Sequence, residues 1–367
     1  MFGFAPRRRV FHTRAASGKF AATPIRLKRG SAVRIVNLHH TAFVATFRAL
    51  GHDVLSIGPD ADCDVTLGEP LSAKRFSELL AARGLVPDLV FWCDACQIPW
   101  VFGLEALPCP VMGYSVDQYM HPWHVPYSMG FDAVCVAQKD YLPLFGESPH
   151  GRPASWLPLF CDPARDRDAG SARDVPVSFV GTLDGRVNAA RRPFLAAFRA
   201  KVPLFMTTGD YVPVFQRSRL VLNQSAAGEL NFRVFQAMAC GAALLTEDVE
   251  NGLRDLFRPG EDILTYRRGD PEDAARVAKQ ALDDPQLEDL AQAGRDKALS
   301  RHTVGARART LLALAARLAA SGAPARRLHA LAEVRRQLRK AYAMLAVDEH
   351  LPLRQQDREF FLSQTRV

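Results

Sequence analysis

The stretch Gly228-Glu229-Leu230-Asn231-Phe232-Arg233-Val234-Phe235-Gln236-Ala237-Met238-Ala239-Cys240-Gly241-Ala242-Ala243-Leu244-Leu245-Thr246 reads in order as loop, short helix, glycine stop and apolar strand. Asn231 suits the N-cap, because a short polar side chain can accept from the amides of the first turn, and Gly241 suits the left-handed residue that ends a helix. Helical spacing puts Phe235, Met238 and Ala239 on one face and Arg233 with Gln236 on the other. Helix-start amides, the helix dipole and Arg233 together favour an anion at this corner, a diphosphate above all. An ordinary amphipathic helix with a wet Arg and Gln has the same pattern, and the stretch alone does not choose between them.

Outward from this corner the chain alternates apolar strands with helices, the pattern of parallel sheets covered on both faces. Strands are expected at 33–38, 53–57, 88–92, 110–115, 133–137 and 155–159, then at 177–180, 204–207, 220–222, 242–245 and 263–266. Helices fit between them, most clearly at 41–50 and 72–82. A third opens at Asp270-Pro271, with an Asp cap, Pro at the first position and an apolar stripe of Ala274, Val277, Ala278, Ala281 and Leu282. A length of 367 residues and a hydrophobic content of 48% suffice for two domains with real cores. The polar run 161–174 has no apolar period and is the expected hinge. Residues 31–162 then form one α/β domain, 175–302 a second, and 303–367 a helical tail.

The segments that follow the opening stretch carry a resemblance. They are Glu250-Asn251-Gly252-Leu253-Arg254-Asp255-Leu256-Phe257-Arg258-Pro259-Gly260-Glu261-Asp262-Ile263-Leu264-Thr265-Tyr266, then Ala293-Gly294-Arg295, then His302-Thr303 with Arg307. From about 220 to 312 the chain resembles the C-terminal domain of GT-B glycosyltransferases, specifically the spore-maturation CgeB-like branch of the glycosyl transferases group 1 families. Arg219-Leu220-Val221-Leu222-Asn223-Gln224-Ser225 and Val177-Ser178-Phe179-Val180-Gly181-Thr182 also look like that branch.

The resemblance implies two Rossmann-like domains whose parallel sheets face a central cleft, with final helices such as 303–320 crossing back to the first domain. It implies a nucleotide diphosphate sugar as donor, held mostly by the second domain, with no metal and no other cofactor. Gly181 would let backbone approach phosphate, and Arg186 or Arg191 would neutralise it. Asn231 and Arg233 match the family's Asn-x-Arg step and would face phosphates or sugar. Gln236 stands where the family usually has Glu, the acceptor for the ribose hydroxyls. This departure replaces two acceptor oxygens with one acceptor and one donor group. Glu229 lies one residue past the first carboxylate of the Glu-x7-Glu pattern of related retaining enzymes, a position held here by Gly228. It is either a sugar-hydroxyl contact or a surface carboxylate.

An open sheet binds ligands beyond the carboxyl ends of its strands, so the acceptor site and the catalytic side chain are expected at one of three strand ends in the first domain. These are His39-His40-Thr41, Trp92-Cys93-Asp94-Ala95, and Val116-Asp117-Gln118-Tyr119-Met120-His121-Pro122-Trp123-His124. The third is favoured, because CgeB-like N-terminal halves tend to carry an Asp after this strand. Asp117 could act as general base on an acceptor hydroxyl, or orient His121 or His124 to do so, and Tyr119 and Trp123 would suit stacking on a sugar. The competing reading is a loop whose Asp binds backbone amides. For His39 and His40 it is hydrogen-bonded structure.

Seven cysteines include one Cys93-x2-Cys96 pair without a second pair at zinc spacing, which suggests reduced thiols in a cytoplasm and no metal. No apolar run is long enough to cross a membrane. The net charge of +8 draws on Arg7, Arg8, Arg9, Arg14, Lys19, Arg26, Lys28 and Arg29, a basic leader over 1–30 expected to be flexible. No nucleic-acid fold signature accompanies it. The expected activity is metal-independent transfer of a hexose to a glycan, protein or lipid-linked acceptor hydroxyl in cell-surface, spore or flagellar glycan assembly. A catalytically silent GT-B protein that senses or scaffolds, a nucleic-acid binder driven by the leader, and a GT-B epimerase are the alternatives.

Overall fold

The apolar runs of the first half pair as parallel strands in a seven-stranded sheet. β1 (Arg34–His39), β2 (Asp53–Gly58), β3 (Val65–Thr66), β4 (Leu89–Cys93), β5 (Val111–Ser115), β6 (Ala133–Val136) and β7 (Ala154–Trp156) lie in the order β3-β2-β1-β4-β5-β6-β7. Strands β4, β5 and β6 are buried along their whole length, as a parallel sheet with both faces covered requires. A second parallel sheet holds β8 (Val175–Val180), β9 (Phe205–Thr207), β10 (Ser218–Asn223), β11 (Ala243–Asp248) and β12 (Leu264–Arg267), ordered β12-β11-β10-β8-β9. The computed structural model describes residues 32–366, and the basic segment 1–30 lies outside them.

Each strand expected from sequence is present, with ends moved by at most three residues. The largest changes are at 155–159, where β7 stops at Trp156, and at 242–245, where β11 runs on to Asp248. The short edge strand β3 has no clear signal in the sequence. The helix expected over 41–50 begins as a 3-10 turn, Thr41–Phe43, and continues as α1 (Val44–Ala49). The connecting helices of the first sheet are α2 (Ala73–Ala82) and α3 (His124–Tyr127); those of the second are α4 (Arg191–Arg199), α5 (Val212–Phe215), α6 (Phe232–Ala239), α7 (Leu253–Leu256), α8 (Pro271–Asp283) and α9 (Leu287–Arg301). Ser72 caps α2 by accepting from the Arg75 amide, and Asp270 caps α8 by accepting from the amides of Glu272 and Asp273.

Four further helices follow: α10 (Val304–Ala320), α11 (Ala323–His329), α12 (Leu331–Val347) and α13 (Gln355–Gln364). α10 leaves the second sheet and packs on α1, while α12 packs against α3 on the opposite face of the first sheet. The two sheets share one apolar seam, in which Phe160 meets Phe43 at 4.9 Å and Phe232 at 5.3 Å between ring centroids.

Both sheets reverse their strand order, between β1 and β4 in the first and between β8 and β10 in the second. Adjacent strands at such a point send their connections to opposite faces, which leaves a crevice at the carboxyl ends.

The tail is anchored by Arg327 on α11, which is fully buried. Its Nε and Nη2 each lie 3.0 Å from the Asp132 carboxylate, and its remaining donors reach the carbonyls of Leu104, Glu105, Leu107 and Cys109. Removing one partner of such a pair leaves a buried charge uncompensated. Arg327→Met should therefore lower the unfolding free energy by about 3–5 kcal/mol, read from the urea midpoint, and Arg327→Met with Asp132→Leu should recover part of the loss.

Candidate functional site

The reversal point of the second sheet opens onto a cavity of about 410 Å³. Its walls include Gly181 and Thr182 after β8, Arg191 on α4, Glu229 and Asn231 in the loop before α6, Arg233 and Gln236 on α6, and Tyr119 from the first domain. Larger hollows of about 920, 620 and 560 Å³ lie beside residues 248–255, beside α8 with α9, and beside α4. The smaller cavity is the one that gathers Gly181, Arg191, Glu229, Asn231, Arg233 and Gln236, while Arg186, Asp117 and His121 lie outside its lining.

Gly181 is required here by contact: a Cβ at this position would lie 2.2 Å from Nη2 of Arg233. Arg233, in the first turn of α6, is clamped in place. Its Nε donates to the Val180 carbonyl at 2.9 Å and its Nη1 to Asn223 Oδ1 at 2.7 Å, with the guanidinium 4.4 Å above the Phe179 ring. Burial lowers its pKa to about 10, so it is charged at neutral pH. Arg191 is held in the same way, by the Gln224 side chain at 2.8 Å, the Gln224 carbonyl at 3.1 Å and the Thr182 carbonyl at 2.6 Å. The two guanidiniums thus form a fixed cationic wall. Arg186 is different: it is exposed on the 3-10 turn Arg186–Asn188 and does not line the cavity.

Asn231 occupies the N-cap position of α6 with extended backbone, but its side chain does not cap the helix. Its Nδ2 donates to Glu229 at 3.4 Å and its Oδ1 is buried without a partner. Glu229 is 5% exposed, which corrects the surface-carboxylate reading. Its oxygens accept from the amides of Ala226 at 3.0 Å and Ala227 at 2.7 Å, and so shape the loop. Gln236 sits on the cavity wall one turn after Arg233.

In the first domain the carboxylate that binds backbone amides is Asp94, which follows β4. It accepts from Cys96 N at 2.9 Å, Val116 N at 3.0 Å and Asp117 N at 2.8 Å. Asp117 is thereby freed from that role. Burial, and next the charge of Asp94, raise the Asp117 pKa to about 7, opposed by hydrogen bonds from Tyr119 and Cys96. Asp117 itself does not line the cavity, although Tyr119, two residues on, does. Glu229 adds repulsion from across the cleft, so the two domains bring carboxylates toward one another there. His121 lies beside the same group, with Nε2 3.4 Å from Cys96 Sγ, and burial lowers its pKa.

Other expectations are corrected. Trp123 is 1% exposed, enclosed by Trp92, Tyr127 and His124, and cannot stack on a sugar. His124 bonds Ser115 Oγ at 2.9 Å, and burial lowers its pKa to about 4, so it faces Asp94 as a neutral ring at neutral pH. His39 is buried structure whose Nε2 accepts from Trp100 N at 3.0 Å, and His40 Nδ1 accepts from Ala42 N at 3.0 Å. Sequence reasoning missed Tyr211, which lines the cavity while its hydroxyl donates to Asp166, in the segment between the two sheets, at 2.6 Å. It also missed Cys96 as the neighbour shared by Asp117 and His121. All seven cysteines are free thiols, and the described residues contain no group of three or more His, Cys, Asp or Glu placed to hold a metal ion. Among the described residues no helix is long and apolar enough to cross a membrane.

Comparison with known proteins agrees with this architecture. A family model described as glycosyl transferase-like matches residues 160–313. No curated protein matches the chain. Among solved structures, a glycosyltransferase from Rickettsia africae aligns with a TM-score of 0.61 at 9% identity, covering 78% of this chain and 99% of that one. Sucrose-phosphate synthase from Thermosynechococcus elongatus aligns with a TM-score of 0.59 at 14% identity, covering 79% and 100%. HepE from Anabaena, solved with UDP-glucose, aligns with a TM-score of 0.58 at 12% identity, covering 77% and 99%. The chain has the GT-B fold, two parallel-sheet domains facing a cleft with helices returning at the C-terminus.

The raised pKa of Asp117 has a consequence for stability. The folded state holds the proton up to about pH 7, whereas an unfolded Asp releases it near its ordinary value of 3.8, so stability falls as pH rises between those values. Asp117→Asn removes this titration. Its urea midpoint relative to wild type should rise from pH 4 to pH 8, with most of the change between pH 5 and 7.

Proposed function

We propose that this protein is a metal-independent glycosyltransferase that moves a hexose from a nucleotide diphosphate sugar to an acceptor hydroxyl. The observation that carries the reading is the wall formed by Gly181, Arg191, Glu229, Asn231, Arg233 and Gln236, which lies wholly within the segment matching the glycosyl transferase-like model. HepE, similar in fold, was solved with UDP-glucose. The diphosphate would lie between the start of α6 and the two clamped arginines, whose fixed charge stabilises the leaving group without reorganisation. Gln236 would meet the ribose. The acceptor oxygen would attack the anomeric carbon as its bond to the diphosphate breaks, and Asp117, poised near neutrality, would take the hydroxyl proton.

The motif series further supports a CgeB-like enzyme acting in the cytoplasm, where the thiols stay reduced, on cell-surface, spore or flagellar glycans. Gln236 favours one competing reading, a GT-B protein that binds nucleotide sugar without transfer.

The test is a thermal-shift panel of uridine, guanosine, adenosine and thymidine diphosphates and their common sugars on wild type, Arg233→Ala and Gln236→Ala. One nucleotide family should raise the wild-type melting temperature, with the shift lost in Arg233→Ala and reduced in Gln236→Ala. Absence of any shift in folded wild type rejects nucleotide-sugar binding. A shift without sugar transfer to any acceptor selects the silent reading.

A further inference from the structure

The wall that carries Glu229 and Asn231 is held from behind by the other domain. Gln138, which lies two residues past β6 in the first domain and is 1% exposed, pairs with the backbone of Leu230 as a strand would. Its Oε1 accepts from Leu230 N at 3.0 Å, and its Nε2 donates to the Leu230 carbonyl at 3.4 Å. Asn251, 2% exposed, completes the junction. Its Nδ2 donates to Gln138 Oε1 at 2.6 Å and to the Gly228 carbonyl at 3.3 Å, while its Oδ1 accepts from Asp140 N at 3.1 Å and its own amide donates to Asp140 Oδ2 at 3.2 Å. Asn251 holds a positive φ of 26°, uncommon for a residue with a side chain, which these bonds offset.

Around this buried core, Lys139 pairs with Asp255 at 2.8 Å and lies 5.2 Å above the Trp156 ring, whose Nε1 donates to the Ala137 carbonyl at 3.1 Å. Gly252 is confined to glycine by the same contact, since a Cβ there would lie 2.5 Å from the Trp156 ring. The clasp therefore has the cleft groups Glu229 and Asn231 on one side and the 920 Å³ hollow lined by Lys139, Asp140 and Asn251 on the other.

We propose that Gln138 and Asn251 are positioning residues: the side-chain amide of Gln138 fixes the loop 225–231 from the first domain and that of Asn251 braces it within the second, so the donor-facing groups stand in register only while the two domains are joined at this point. The physical reason is backbone satisfaction. Leu230 is buried, its amide and carbonyl have no strand partner, and leaving them unpaired away from water is costly. Separation of the domains here would expose or orphan both groups, and the turn that presents Glu229 and Asn231 would lose its outer support. The words donor-facing rest on the function proposed above; the clasp itself does not.

Hydrogen exchange on the full chain without ligand tests the clasp, and nucleotide binding tests its use. In Gln138→Leu and in Asn251→Gly, which accommodates the positive φ, amides of 225–231 should exchange at least about tenfold faster, while those of β10 and β11 keep wild-type rates. Gln138→Glu should lose protection at pH 8, where a carboxylate faces the Leu230 carbonyl, and regain it toward pH 5 as the protonated acid can again donate, after correction for intrinsic rates. Whichever nucleoside diphosphate stabilises wild type should bind Gln138→Leu about tenfold or more weakly, with the pH-dependent recovery in Gln138→Glu. Unchanged exchange over 225–231 in both variants, or a loss of protection spread evenly over the second sheet, overturns the clasp. Local loosening with undiminished nucleotide affinity overturns its positioning role. If wild type binds no nucleotide, the glycosyltransferase reading fails while the exchange result still decides the clasp.

Discussion

The chain crosses between its two sheets twice, and the crossings are bonded to each other. Cys161 N donates to the His302 carbonyl at 2.9 Å and Val304 N donates to the Cys161 carbonyl at 2.8 Å, one rung of parallel ladder between the outgoing link and the returning helix. Arg307 fastens the same point from α10, donating to the carbonyls of Pro158 at 2.7 Å and Leu159 at 3.1 Å. Two independent linkers would let the domains wander. Tied together, they act as one short strap, and the apolar seam through Phe160 closes over it. The cleft depends on this restraint, because its walls come from different sheets.

Within the cleft, charge is arranged by separating two tasks that sequence alone tends to merge. Asp94 satisfies amides past the ends of both β4 and β5, and that leaves Asp117 without amides of its own. A carboxyl without amides to stabilise its charge, close to two others, holds its proton to higher pH. The arginines show the converse division. Half of their N–H donors are already committed to backbone carbonyls and side-chain amide oxygens, which fixes the two guanidiniums in place as standing positive charge. Such a field is present before any ligand arrives.

Much of this was legible in the sequence, and the limits have physical causes. Apolar runs predicted every main strand because buried parallel strands need no alternation, whereas β3 is two residues at an edge and leaves no such trace. Capping residues named the starts of α2 and α8. Asn231 had the same signature and did not cap, since Glu229 drew its amide away. Glu229, Asn231, Arg233 and Gln236, carried by one contiguous run, were legible from that stretch as residues that share a wall. The places of Asp94, Cys96 and Tyr211 were not, because they come from strand ends and an inter-sheet segment brought together only by the fold. Trp123 misled for a related reason: an aromatic side chain reads the same whether it faces a sugar or other rings. Gln138 and Asn251, 113 residues apart in sequence, carry no local pattern at all.

Trp156 gives the molecule an internal optical gauge. Its indole lies at the junction of the two domains, with a bonded ring nitrogen, a lysine over one face and a glycine of the other domain at its edge, while Trp92 and Trp123 are sealed in the first domain. Indole emission moves to longer wavelength when water replaces such contacts. The light emitted by this side chain is therefore tied to the width of the junction, and a chain built for holding two halves together also carries the means of seeing them part.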